Sequence, residues 1–294
     1  MTVINFDFDR LTRTYSLDQQ IHVDAEVKTH EPIKWKEAYC NIFCVRTVNA
    51  NGHGLVGFDS PIPHTPENTL WANPIPVKWP GVINDGFKFS FDFKVPSNKN
   101  LTESVRGKFC SIDYFVEVVI KRGMLKPEII LTRTFYVVFP PPAKRPTGDA
   151  IEMIMDRKHL KKGSPPVDFK AKVHLDTPVA SFKQPPRGWI TVLNSNQPIE
   201  AITVSYMRTE KIFNEKGVPT VLVSEVCRMQ IAENDPAYNI IIPFNLEWVR
   251  ILVSPDIETP QFSMNIGLKI RILFDNNGYA NHVIPLKLCR DMAY

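Results

Sequence analysis

The stretch Phe87-Lys88-Phe89-Ser90-Phe91-Asp92-Phe93-Lys94-Val95 puts an aromatic ring at every second position, with a polar side chain between each pair. Successive side chains on a strand point to opposite faces, so the pattern predicts a half-buried β-strand with one apolar and one wet side. The same spacing recurs along the chain. Ile21, Val23, Ala25 and Val27 alternate with His22, Asp24 and Glu26. Ile112, Tyr114, Val116, Val118 and Ile120 form a second row, and Thr132 to Phe139 a third, stopped by Pro140-Pro141-Pro142. In the second half, Val167, Phe169, Ala171, Val173 and Leu175 share a face. So do Phe262, Met264, Ile266, Leu268, Ile270, Ile272 and Phe274, a spacing that no helix of this length would keep. Such runs predict roughly a dozen or more strands, the number expected of two antiparallel sandwiches. The fold class is therefore all-β.

Composition agrees. A chain of 294 residues favours two domains, and 44% hydrophobic with 22% charged residues suits a globular protein with a core. The net charge of +4 is too weak to argue for nucleic acid, whose footprint is a basic stripe. An excess of 25 prolines over 13 glycines favours turns, strand edges and linkers over helices. No window holds the roughly 18 apolar residues that a membrane span needs. The opening MTVINFDFDR carries acids inside its apolar stretch and lacks a small-residue cleavage site, so it does not read as a signal peptide. Five cysteines, at 40, 44, 110, 227 and 289, are an odd set, whereas a secreted disulfide framework is even and denser. A cytoplasmic location is expected, where the Asn100-Leu101-Thr102 sequon goes unused.

The boundary is legible in PPPAKRPTGD (140–149), rich in proline and charge. Ile151, Met153 and Met155 then alternate briefly before DRKHLKKGSPP (156–166) breaks the chain again. The expected division is a sandwich over 1–140, a linker with one short strand over 141–164, and a second sandwich over 165–294. The linker's basic cluster, Arg157, Lys158, Lys161 and Lys162, has two readings. One is a solvated charge run; the other is contact with an anionic membrane surface.

No catalytic, cofactor-binding or metal-ligating set is expected. The seven histidines are scattered and none belongs to an HExxH motif. Cys40 and Cys44 in CNIFC would lie on one strand face but roughly 13 Å apart, at ~3.3 Å per residue. That is too far to share a zinc ion, which needs ligands at ~2.3 Å. Gly52 and Gly54 in NANGHGLVG superficially resemble a nucleotide-binding loop, but the residues HGLVGFDSPIPHTP do not open a helix. Asn51-Gly52 reads instead as a hairpin turn. Asp7 and Asp9 read as the wet side of a strand.

Several stretches then resemble one family. FSFDFKV is followed by ESVRGKFCSIDYFVEVVIKR (103–122) in the first half. VDFKAKVHLDTP, GWITV, IEAITVSYMRTE, MQIAEND, SPDIETPQFSMNIGLKIRILF and the terminal IPLKLCR come in that order in the second. Together they resemble the arrestin-like vacuolar protein sorting 26 family, the small subunits of endosomal sorting coats. The end of IPLKLCR four residues before the terminus favours the C-type branch that serves the retriever complex, because retromer small subunits carry a longer tail. The pattern departs near the N-terminus. Where the family has glycines after a tyrosine, TYSLDQQIHV has Asp18 and Val23, which implies a different first turn.

The resemblance implies a non-enzymatic subunit without cofactors. It implies docking onto an α-solenoid scaffold of the vacuolar protein sorting 35 type, which carries a vacuolar protein sorting 29 subunit at its other end. A sorting nexin and cargo tails would be reached indirectly, and membrane association would be peripheral, on endosomes. A loop of the second sandwich meets the scaffold in retromer through an isoleucine–methionine pair. The matching positions here are Met229, Gln230, Ile231, Ala232, Glu233 and Asn234, with Ala232 in place of the methionine. An exposed Ile231 would be an interface anchor, since covering such a side chain is worth ~1.5–3 kcal/mol. The alternative is that Ile231 folds back into its own core.

Three other readings compete. Retromer membership differs only in which scaffold co-purifies. Arrestin-type ubiquitin-ligase adaptors use PPxY motifs, and no PP pair here is followed by a suitably placed tyrosine. A secreted adhesion sandwich would pair its cysteines. Thiol titration of the denatured protein is expected to find all five cysteines free; a smaller number would restore the secreted reading.

Overall fold

The computed structural model describes residues 2–48, 64–98, 101–122, 126–140, 146–213, 217–247, 255–259 and 262–290. The Asn51-Gly52 turn and Asn100 of the sequon lie outside them. The chain divides into two compact units, Met1–Pro140 and Pro141–Tyr294. Both are built of mainly antiparallel sheets stacked as sandwiches, with one short parallel pair in each unit, and the fold is all-β and arrestin-like.

Strands of the first unit are β1 (Thr2–Phe8), β2 (Thr14–Ser16), β3 (Ile21–Thr29), β4 (Ile33–Lys34), β5 (Glu37–Val48), β6 (Thr69–Ile75), β7 (Val82–Ile83), β8 (Gly86–Phe93), β9 (Val105–Arg106), β10 (Cys110–Lys121) and β11 (Ile129–Val138). One sheet has the order β1-β3-β8; the larger has β2-β11-β10-β5-β6, with β9 also on β10. The phenylalanine stretch forms β8, and its rings stack in a ladder. Phe87 to Phe89, Phe89 to Phe91 and Phe91 to Phe93 have centroid distances of 5.4, 5.8 and 6.1 Å. Phe93 closes the core edge-on against Phe135 of β11 at 5.4 Å. At the other end, the Trp79 ring packs on Phe87 and Phe89. The wet side is a charge lattice: Lys88 and Lys28 both pair with Glu26, and His22 bridges Asp92 and Asp24.

β10 is central in its sheet and buried along nearly its whole length. Its even positions, such as Tyr114 and Val116, enter the sandwich. Asp113 on the other face is covered but satisfied, accepting from Arg106 Nε (2.9 Å), Arg106 Nη2 (2.8 Å) and Ser111 Oγ (2.6 Å). Burial of charge without such partners would be costly.

The turn after β2 explains the glycine departure. Asp18 adopts φ 58°, the left-handed region that favours glycine. Its carboxylate accepts from the Ser97 backbone N–H (3.0 Å) and hydroxyl, and its own N–H donates to Val95 O (2.8 Å). Asp is among the few residues that tolerate this conformation, and here its side chain ties the turn to the segment that follows β8.

The second unit contains β12 (Ile151–Asp156), β13 (Phe169–Leu175), β14 (Val179–Ser181), β15 (Arg187–Ser195), β16 (Ile199–Phe213), β17 (Pro219–Glu233), β18 (Ile242–Asn245), β19 (Ile257–Glu258), β20 (Phe262–Phe274), β21 (Tyr279–Pro285) and β22 (Lys287–Cys289). Its sheets run β12-β13-β15-β18 and β17-β16-β20-β19, with β21 on the other part of β20. Val173, Ile190 and Val192 of the first pack with Val204, Leu268, Ile270 and Ile272 of the second in one core. Gly188 is required where β15 passes β13: a Cβ there would lie 2.1 Å from His174 O.

The short strand expected within the 141–164 linker is β12. It pairs with β13 from Ile151↔Leu175 to Asp156↔Lys170 and so forms an edge of the second unit. Met155, fully buried, joins the core and supplies the reason.

The ladder sets a graded prediction. Phe93→Ala, at a 4% exposed position, should cost about 3–5 kcal/mol in chemical denaturation. Phe87→Ala, at the half-buried end, should cost clearly less. Equal losses would contradict the packing described.

Candidate partner-docking surface

β16 and β17 form a long antiparallel hairpin, and β17 is the edge of its sheet. Two breaks interrupt the register. Ile202 faces Ala232 and Thr203 faces Gln230, which leaves Ile231 as an extra residue. Tyr206 faces Cys227 and Met207 faces Glu225, which leaves Val226 extra. A bulge lets two successive side chains turn to one side. Accordingly Ile231 and Ala232 both pack against the core cluster, as do Val226 and Cys227.

The expected docking residues thus occupy a strand end rather than a loop. Met229 to Glu233 are the last residues of β17, and Asn234 alone lies in the turn after it. The reason is the pairing with β16, which continues through Ala201↔Glu233. Asn234 (φ 54°) and Asp235 (φ 54°) make a left-handed turn. It is held by Asn234 N–H to Glu200 O (3.1 Å), Asp235 N–H to Ile199 O (2.7 Å) and Ile199 N–H to Asp235 Oδ1 (3.1 Å). Gln230, Glu233 and Asn234 are exposed; Met229, Ile231 and Ala232 are half-buried. Gln230 Nε2 donates to Glu233 Oε2 at 2.9 Å. Ile231 therefore joins the core with part of its surface and offers the rest to solvent.

Beyond the turn come apolar residues that no motif or alternation singles out. Ile240 and Ile241 are 57% and 60% exposed, and Tyr238 is also exposed, its hydroxyl donating to Ser195 O (3.1 Å). They lead into β18, the edge of the facing sheet, and β17 and β18 come into contact. The signal in the sequence is the run Ile240-Ile241-Ile242. Alternating strand geometry cannot turn three consecutive isoleucines inward. The two edges thus carry one polar and apolar strip, from Met229 to Ile241.

Charges border this strip. Arg228 donates to Glu225 from Nε (2.5 Å) and Nη2 (3.1 Å), and Lys269 Nζ lies 3.4 Å from the same carboxylate. These bonds, Arg228's first, hold the Glu225 carboxyl below its usual range.

Elsewhere the ionisable groups read as structural. Burial pushes the Cys40 and Cys44 thiols up to about 12, far from a reactive thiolate. Among the described residues no three His, Cys, Asp or Glu side chains converge to hold a metal. A cleft between β1 and β11 is lined by Ile4, Asn5, Phe6, Asp7, Leu131, Thr132 and Arg133; its ionisable groups are one carboxylate and one guanidinium. Asp9 accepts from the Tyr15 hydroxyl at 2.6 Å. Among the described residues no helix is long and apolar enough to cross a membrane.

No family model matches the chain. It is 21% identical over 213 residues to vacuolar protein sorting-associated protein 26C of Dictyostelium discoideum, an alignment covering 69% of each protein. This distant similarity supports the vacuolar protein sorting 26 and arrestin-like family.

One buried carboxyl makes a pH prediction. Burial pushes Asp256 up to about 6, while backbone N–H groups of Leu288 and Ile266 partly offset the effect. The folded state then favours the protonated acid, so stability falls as pH rises from the ordinary value of 3.8 through about 6. Asp256→Asn mimics the protonated form. Its advantage in denaturation midpoint should grow over that window and level off above it; an advantage independent of pH would contradict the assignment.

Proposed function

We propose that the chain is a non-enzymatic subunit of an endosomal cargo-recycling coat of the retriever type. The observation that carries this reading is the similarity to a vacuolar protein sorting 26C protein over 213 residues, together with a fold of arrestin-like sandwiches. In this reading the protein docks on an α-solenoid scaffold of the vacuolar protein sorting 35 type. A vacuolar protein sorting 29 subunit shares the scaffold, and sorting nexin and cargo join indirectly. The complex then works as a peripheral assembly on endosomes in endosome-to-plasma-membrane transport.

The docking surface proposed is the strip from Met229 to Ile241. Helical solenoids present ridges of side chains, and a sandwich flank with half-buried Met229 and Ile231 beside exposed Ile240 and Ile241 offers complementary apolar surface. Exposed apolar groups of this kind mark interaction sites when they cluster. The polar Gln230, Glu233 and Asn234 around them suit a rim. Alanine at 232 in place of the methionine of retromer removes contact area, which Ile240 and Ile241 restore. The alternative within the same class is a retromer small subunit; the scaffold that co-purifies from native cells decides between them.

Ile231→Asp should abolish pull-down of the scaffold. Because Ile231 also packs on the core, the fully folded control is Ile240→Asp with Ile241→Asp. That variant should keep the wild-type thermal midpoint and weaken binding at least roughly thirtyfold, the scale of a hot-spot loss of ~2 kcal/mol. Wild-type affinity in both variants would overturn the placement.

A further inference from the structure

The basic cluster in the segment after β12 is not a loose linker. Residues 157–159 form a short 3₁₀ turn capped by Asp156, whose Oδ1 accepts from the Lys158 N–H at 3.0 Å. The chain then runs along β21. Leu160 bridges Ala280, Lys161 N–H donates to Tyr279 O (2.9 Å), and Ser164 N–H donates back to Lys161 O (2.9 Å). This strap meets the start of the free edge of β21, at Tyr279 and Ala280. It also brings Lys161 Nζ to 5.0 Å from the centre of the Tyr279 ring, over which Arg271 of β20 lies at 3.9 Å. Two cations from distant parts of the sequence thus meet at one phenol. The Tyr279 hydroxyl is held below its usual range by Lys161 first, then by the charges of Arg271 and Lys269.

Among the described residues, the one carboxylate that acts on these cations is Asp156, whose charge is felt by Lys158. Asp156 is engaged by the turn it caps and by His159. Among the described residues none of Arg157, Lys158, Lys161, Lys162 or Arg271 makes an ion pair, and the four on the strap are exposed. Like charges held this close repel one another, and the arrangement costs stability unless an anion covers it. The five outnumber the chain's net charge of +4, so the remainder of the protein averages slightly negative.

We propose that the strap, with Arg271 and Tyr279, is a docking site for the phosphate-bearing surface of an anionic membrane. Charge complementarity selects this partner. A bound peptide would add to a free strand edge or fill an apolar pocket. Here the strap already occupies the edge where the cations gather, at Tyr279 and Ala280, and among the described residues of β21 the exposed large apolar side chain is Val283 alone. A lipid surface demands neither, because clustered Lys and Arg near anionic headgroups bind through the surface potential, over about a Debye length. The contact is separate from the Met229–Ile241 strip and does not depend on scaffold docking.

The test is flotation of the purified full chain with phosphatidylcholine vesicles, with and without phosphatidylserine. Wild type should float only with the phosphatidylserine vesicles and be released by high salt. Replacing Arg157, Lys158 and Lys162 with Ala leaves the Tyr279 packing intact and should lower partitioning about a hundredfold, at roughly fivefold per cation. Scaffold pull-down by this variant should be unchanged, which separates failure here from failure of the proposed function. Equal partitioning of variant and wild type, or no preference for phosphatidylserine, would overturn the proposal. So would binding to immobilised polyglutamate by protein that ignores the vesicles, which would assign the patch to an acidic protein partner.

Discussion

A strand that slips by one residue turns its whole apolar row to water. Every long strand of this protein is bound by that constraint. β8 commits four phenylalanines to one face, and β20 commits seven apolar side chains from Phe262 to Phe274. β10 and β5 pair without interruption from Cys110↔Val48 to Lys121↔Glu37. Buried tyrosine hydroxyls within the long strands β10 and β16 add a second restraint. Tyr114 donates to Thr102 O at 2.6 Å, and Tyr206 donates to Leu246 O. Each bond satisfies a buried polar group and pins a connecting segment to a strand.

Against that regularity, the β16–β17 hairpin stands out because its register breaks twice. Bulges at Val226 and Ile231 give an edge strand more twist than its neighbours and re-aim its side chains. An edge strand of 15 residues is a liability for self-association unless it is bent, charged or covered. The bulges bend it, and Glu225, Arg228 and Glu233 charge it. The stretch beside it, where Ile240 and Ile241 reach solvent, is the surface proposed for a partner. In this way the rule that builds the core and the departures from it that build a surface belong to the same pair of strands.

Much of the fold was legible because period-two alternation is a local signal. Ile21 to Val27, Val167 to Leu175 and Phe262 to Phe274 appear in the structure as strands at those places. What alternation does not carry is pairing partner and bulge position, which depend on neighbours far along the chain. Ile231 illustrates this: its sequence neighbours read as a loop, and only Ile202 and Thr203 opposite reveal a bulge. Asp18 is a second case. Read as a departure from glycine, it keeps the backbone that glycine would adopt because Ser97, distant in sequence, binds its carboxylate. The meeting of Lys161 with Arg271 over Tyr279 was equally hidden, since 110 positions of chain separate the two cations.

The proposed docking edge is tested most directly by hydrogen–deuterium exchange of the chain alone and with an α-solenoid scaffold of the vacuolar protein sorting 35 type. Slower exchange concentrated in peptides spanning 229–241 is expected, with the β8 and β10 amides unchanged. Protection confined to the first unit, or to the face opposite β17 and β18, would contradict docking at this edge.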